Sequence, residues 1–144
     1  MRLYEDKPFP IIGRHGLEWG PTEGGKEIER DEIERSKLLL ERCEKSPRIN
    51  ASSPESYGAK HVAEYLTGNY IPNGALIVAA LEMGIEVKPV GRGSPNVLLG
   101  LGKKSYLEFA RLRNDKSAEG MLAIDALIRK ARYGKAAGKT PVVG

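Results

Sequence analysis

The stretch from Tyr65 to Val87, "YLTGNYIPNGALIVAALEMGIEV", decides the fold. It reads as the end of one helix, a polar turn, an apolar helix and a strand. Gly68 ends the first helix, since it takes left-handed backbone angles without Cβ strain. In "NYIPN", Asn73 is placed to cap the next helix, "GALIVAALEMG", which Gly84 closes. Leu76, Ile77, Val78, Ala79, Ala80, Leu81 and Met83 leave that helix apolar on nearly every side, so it belongs at the centre of the fold. After Gly84 the apolar period changes from helical to two. Ile85 and Val87 alternate with Glu86 and Lys88 as in a half-buried strand.

The elements on either side follow from the same rules. "GRGSPN" (Gly91 to Asn96) is turn chemistry, and "VLLGL" after it reads as a second strand, making a hairpin with "IEVKPV". Upstream, "SSPESYGAKHVAEYL" reads as a helix with Ser53 as N-cap, Pro54 at its first position and Ser52 with Glu55 as an alternative capping box. Tyr57, Val62, Tyr65 and Leu66 are expected to face the core. Residues 26–45 read as a charged helix with a narrow apolar stripe of Ile28, Ile33, Leu39, Leu40 and Cys43. Pro47 in "SPRIN" breaks it. Two further helices are expected. One begins at Ser105, with Ser105 and Glu108 as a capping box. The other runs from about Ser117 to Tyr133, with Met121, Ile124, Leu127 and Ile128 on one face.

These elements predict an α+β fold, a mostly helical single domain of about five helices around a central β-hairpin. Residues 1–25, rich in proline and glycine, read as an extended arm with a short strand near Ile11–Ile12, and Trp19 as the anchor that pins the arm to the body. Residues 26–133 form the globular domain, and 134–144 a basic tail.

Composition narrows the function classes. The 144 residues, 40% hydrophobic and 29% charged, fit one water-soluble globular domain. No apolar run approaches the roughly 18–20 residues of a bilayer span, and the first residues lack the apolar stretch of a signal peptide. The expectation is a cytoplasmic protein with no membrane association. The single cysteine, Cys43, cannot form an internal disulfide and stands beside Glu41 and Glu44, a poor setting for a reactive thiolate. His61 and Glu64 share a helix face, but two groups make no metal site, and neither a G-x-S-x-G nor a phosphate-loop motif occurs. No cofactor, metal or catalytic residue is expected.

Charge points elsewhere. Residues 103–144 carry ten Lys/Arg against four Asp/Glu, net +6, whereas residues 1–50 and 51–102 are each net −1, which together make the +4 of the whole chain. Positive charge so concentrated favours an anionic partner. The candidate nucleic-acid contacts are Arg92 in the hairpin turn, then Lys103, Lys104, Arg111 and Arg113, then Arg129, Lys130, Arg132 and Lys135. Tyr106 and Tyr133 are either stacking partners for bases or core residues.

The order of helix, turn, helix and hairpin from His61 to Leu101 resembles a winged helix, with "GRGSPN" at the wing tip. That resemblance implies a nucleic-acid-binding module. Its second helix would ordinarily read base edges with exposed polar side chains, yet here it offers only Glu82. The helix is therefore expected to pack inward, leaving contact to the wing, to Asn69, Tyr70 and Asn73, and to the basic C-terminal region. The segment "SYGAKHVAEYLTGNYIPNGALIVAALEMGIEV" also resembles short proteins carried by phages and plasmids, which implies an accessory protein of a mobile element. The leading expectation is a small non-enzymatic protein that binds DNA or RNA. The alternative is a protein-binding or inhibitor module that uses the charged first helix and the arm.

Overall fold

The structure, a computed structural model, describes residues 3–4, 7–8, 10–20 and 28–114, with side chains described for 10–20 and 28–111. The fold is α+β. The described residues hold four helices and three two-stranded antiparallel pairs: β1 (Leu3–Tyr4), β2 (Lys7–Pro8), β3 (Ile11–Gly13), β4 (Gly16–Glu18), α1 (Arg30–Leu40), α2 (Ser56–Thr67), α3 (Asn73–Glu82), β5 (Val87–Pro89), β6 (Val97–Leu99) and α4 (Lys103–Asn114). The helix expected over 117–133 and the tail lie outside the described residues.

Helix α3 is the centre, as its unbroken apolar surface requires. Ala75, Leu76, Ile77, Ala79 and Ala80 are fully buried. Burying side chains such as Leu76 and Ile77 contributes about 1.5–3 kcal/mol each. Helix α1 lies against α3 and supplies Ile33, Leu39 and Leu40 of the expected stripe, while Ile28 before it and Cys43 after it also pack on the core. It is shorter than its charge pattern predicts. The chain turns after Leu40, and Lys45 instead forms a bridge with Leu101.

Helix α2 packs through small residues. Ser56, Ala59 and Ala63 are buried with Val62 and Leu66, and the Ser56 hydroxyl accepts the Val97 amide at 3.1 Å. Tyr57 and Tyr65, expected in the core, are exposed at 54% and 41%. The buried side of α2 is filled by the small residues, and the rings fall on its flank.

The β5–β6 hairpin forms as expected, with Val87 opposite Leu99, Lys88 opposite Leu98 and Pro89 opposite Val97. Val87, Val97 and Leu99 face the core, while Lys88 faces out. The chain between α1 and α2 runs beside β6 through the bridges Glu55–Leu98 and Lys45–Leu101. The Leu99 amide donates to the Pro54 carbonyl at 2.7 Å. Because Pro54 is held there, α2 starts at Ser56, two residues later than the Ser53 cap predicts, and the Ser53 hydroxyl instead accepts the Asn50 amide.

Two other expected caps are also reassigned. Helix α4 begins at Lys103, and Ser105 lies inside its first turn. The Ser105 hydroxyl donates to the Gly102 carbonyl and accepts the Glu44 amide, tying α4 to the segment after α1. Pro72, not Asn73, is the N-cap of α3.

Candidate functional site

Two surfaces meet around the start of α3. The first is a sealed junction. Asn73, 5% exposed, is released from capping and turns its Nδ2 toward three oxygens: Asn96 Oδ1 at 2.9 Å, His15 O at 3.2 Å and Pro95 O at 3.3 Å. It thereby joins the tip of the β3–β4 hairpin to the β5–β6 turn. The Leu17 amide donates to the Pro95 carbonyl at 2.9 Å, and the Gly74 amide donates to the Arg14 carbonyl at 3.0 Å. Glycine is required at two of these positions. Gly16 has φ +122° and sits so close that a Cβ would lie 2.2 Å from Pro95 O, while a Cβ on Gly74 would lie 1.8 Å from Gly13 O.

Trp19 anchors the same hairpin, as expected of it. Its ring packs on the core, and Nε1 donates to the Ser94 carbonyl at 2.6 Å. The arm is also clamped to α1. Arg14 makes a two-pronged pair with Glu32, both contacts at 2.7 Å, and Glu32 additionally accepts the Glu29 amide. The Arg14 guanidinium, with the Glu29 amide, holds the Glu32 carboxyl below the usual range against the opposing effect of burial.

The second surface is the outer face of α2 with the turn after it. Lys60 is buried, its ammonium 3.1 Å from Glu64 Oε2 and within 5.7 Å and 4.9 Å of the Tyr57 and Tyr70 ring centres. Both rings stand largely in solvent, at 54% and 56% exposure. His61 Nδ1 is 2.9 Å from Glu64 Oε1, and the His61 ring meets Tyr57 edge-on at 4.6 Å. Burial opposes ionisation of Glu64, but hydrogen bonds from the Ile71 amide, Lys60 and His61 outweigh it and hold the carboxyl below its ordinary value. Glu64 is thus the post on which the turn, Lys60 and His61 are fixed.

The expected cationic contacts divide into three groups. Arg92 is exposed at the hairpin tip, its guanidinium 5.7 Å from the Trp19 ring centre. Lys103, Lys104 and Arg111 are exposed on α4, where no ion pair among the described residues engages them. Lys104 and Arg111 border one concavity with Leu107 and Glu108, so one acidic group stands among these cations. Arg113 lies in the last turn of α4. Arg129, Lys130, Arg132 and Lys135 lie outside the described residues.

In the body, some cations are matched by carboxylates, while Arg48 and Lys88 are exposed and in no ion pair among the described residues. Arg30 and Lys37 converge on Glu82, at 2.6 Å and 2.9 Å, tying α1 to the end of α3. Arg30, then Lys37, pull the Glu82 carboxyl down to about 2. Two charges of the first helix, which the alternative reading assigns to a partner surface, are thus paired with its neighbour.

Tyr106 is a core residue at 9% exposure, and Tyr133 lies outside the described residues. Cys43 is buried, and burial pushes its thiol up to about 12, which suits a packing role. Among the described residues no group of three or more metal-ligating side chains occurs, and no helix is long and apolar enough to cross a membrane.

The outward face of Tyr57, Tyr65 and Tyr70 is not among the sequence-based expectations. Its signal was the four-residue spacing of Tyr57, His61 and Tyr65, which puts three rings on one helix flank. No protein-family model, curated protein or solved structure matches this chain.

Proposed function

We propose that this protein is a small non-enzymatic nucleic-acid-binding module with a winged-helix-like arrangement, in which α3 is structural and binding comes from the basic surface beginning at α4. The observation that carries the reading is the clustering of cations on one helix. Arg14, Arg30, Lys37 and Lys60 are matched by carboxylates, whereas Lys103, Lys104 and Arg111 are exposed together on α4 and in no ion pair among the described residues. They open the stretch of ten Lys/Arg against four Asp/Glu that extends to residue 144. Phosphates are the natural match for such a stretch, and they give affinity without sequence choice.

The order α1, bridging segment, α2, α3, β5, β6 supports the winged-helix-like part of the reading, together with the Glu55–Leu98 bridge that sets a third segment beside the hairpin. Arg92 at the hairpin tip is a secondary contact. An accessory role in a mobile element accords with the same reading.

Binding of labelled DNA and RNA, followed by fluorescence anisotropy over a salt series, tests the proposal. Affinity is expected to fall linearly on logarithmic axes, by about 0.9 in slope per phosphate on duplex or 0.7 on a single strand. Changing Lys103, Lys104 and Arg111 together to Ala should lower both affinity and slope. So should the corresponding change of Arg129, Lys130 and Arg132. Unaltered binding in both triple variants removes the assigned surface, and absence of binding by the natural sequence removes the function.

A further inference from the structure

We propose that Tyr57 and Tyr70, flanked by Tyr65, form a stacking platform for the bases of a single-stranded nucleic acid. The inference rests on the nucleic-acid reading above and names the part of the ligand that the basic surface does not engage.

The large hydrophobic residues exposed among the described residues are Ile11, Tyr57, Tyr65, Tyr70, Val90 and Leu107. Tyr57 and Tyr65 share a helix flank by their spacing, and Tyr70, in the turn that follows, shares the Lys60 ammonium with Tyr57. Each is aromatic, and each carries a hydroxyl that tolerates water. Their order is imposed from beneath. The Lys60 ammonium lies within cation–π range of both Tyr57 and Tyr70, and it is held by Glu64, which the Ile71 amide fixes in turn at 3.0 Å. His61 braces Tyr57 edge-on. The cation is buried while the rings remain more than half exposed, so each ring keeps surface for a planar partner. Rings already positioned lose little side-chain freedom on binding.

The ring faces select the ligand. Tyr57 and Tyr70 both stand around the one Lys60 ammonium, and a base meets either ring only where it is not stacked on its neighbour. A duplex offers no such faces, because its bases are stacked on one another. Nor is the element that would enter a duplex groove available: the N-terminal end of α3 is covered by the β3–β4 hairpin, through Asn73 and Gly74. The platform also adds little charge of its own, since Lys60 is paired with Glu64, and Arg14, whose guanidinium lies 6.0 Å from the Tyr70 ring centre, is paired with Glu32. It supplies stacking, and phosphate attraction falls to the cations beyond residue 102. A protein hot spot, by comparison, usually centres on a well-packed pocket, and these rings stand on the outer flank of a helix.

The test compares binding of a labelled thymidine oligonucleotide, an abasic oligomer of the same length, and a blunt duplex to the full chain. The variants are Tyr57→Ser/Tyr70→Ser and Tyr57→Phe/Tyr70→Phe, with folding checked by circular dichroism. The natural sequence is expected to prefer the single strand. The Ser pair should weaken that binding by about tenfold or more. The Phe pair should retain it, and the abasic oligomer should bind natural and Ser-pair proteins alike. Equal binding of the thymidine strand by natural and Ser-pair proteins, with both folded, overturns the platform while leaving the nucleic-acid reading standing. Loss of binding in the Phe pair overturns it too, because hydroxyl contacts would then carry the interaction. If the natural sequence binds none of the three ligands, the function itself fails and the platform with it. Tyrosine-dependent capture of a protein in place of the oligonucleotide assigns the face to a protein partner.

Discussion

The junction at the start of α3 and the outer flank of α2 are close in sequence and draw on the same chemistry, an aromatic ring beside a cation and a polar network. In the junction the hydrogen bonds run inward. Asn73 joins two hairpin tips, Trp19 hydrogen-bonds to Ser94, and Arg14 is clamped to Glu32. On α2 the polar groups lie underneath, with Lys60, Glu64 and His61 linked to one another, and the rings are left outside. A cluster of polar and aromatic residues says little about function until its bonds are traced. Where the partners are internal, the cluster is a fastening. Where they hold rings in place at the surface, it is a platform.

Four changes break or sharpen that contrast, beginning with the junction. Gly74→Ala forces a methyl group against Gly13 O and should cost about 3 kcal/mol, the upper end of ordinary overpacking, read as a lowered urea midpoint. A midpoint equal to that of the natural sequence would mean that the hairpin is not seated there. Arg14→Ala removes both charged hydrogen bonds to Glu32 and leaves a carboxylate only 6% exposed, so about 2 kcal/mol should be lost. Arg14→Lys should recover only part of this, because an ammonium cannot reproduce the two-pronged geometry.

Acid should act next. Glu32, Glu64 and Glu82 all ionise more readily in the folded chain than when unfolded, Glu82 at about 2. Their contribution is complete above the unfolded carboxylate value of about 4.3 and is lost as pH falls toward 2. Melting followed across that window should show falling stability. In Glu82→Gln the drop should be shallower, although partial exposure of its pairs moderates the difference. A stability that rises on acidification would contradict the pairing. The smallest effect is expected on the open face. Tyr57→Ser should change stability by no more than about 0.5 kcal/mol, as for an ordinary surface site. A larger loss would show that the ring serves the core after all.

Much of the fold was legible. The burial of α3 followed from Leu76 to Ala80, the hairpin from the change of period after Gly84, and the anchoring role of Trp19 from its place in the arm. The cap positions were not, because Pro54, Asn73 and Ser105 are recruited by partners distant in sequence: Leu99, the two hairpin tips and Glu44. The outward turn of Tyr57 and Tyr65 was hidden for a related reason. Hydrophobic pattern alone places an aromatic ring inside, and only the small residues Ala59 and Ala63, packed at the buried face of α2, show that the space is already taken. The basic excess past residue 102 was readable as charge, whereas the exposure of Lys103, Lys104 and Arg111 together on α4 follows only from the fold.

The most direct test is ultraviolet cross-linking of the full chain to a single-stranded oligonucleotide, with the attachment points mapped by mass spectrometry. Attachment is predicted on peptides carrying Tyr57, Tyr65 or Tyr70 and on those from residue 103 onward. Attachment confined to α3 or to the hairpin tips near Arg14 and Asn96, with the tyrosine face untouched, would contradict the division between fastening and platform.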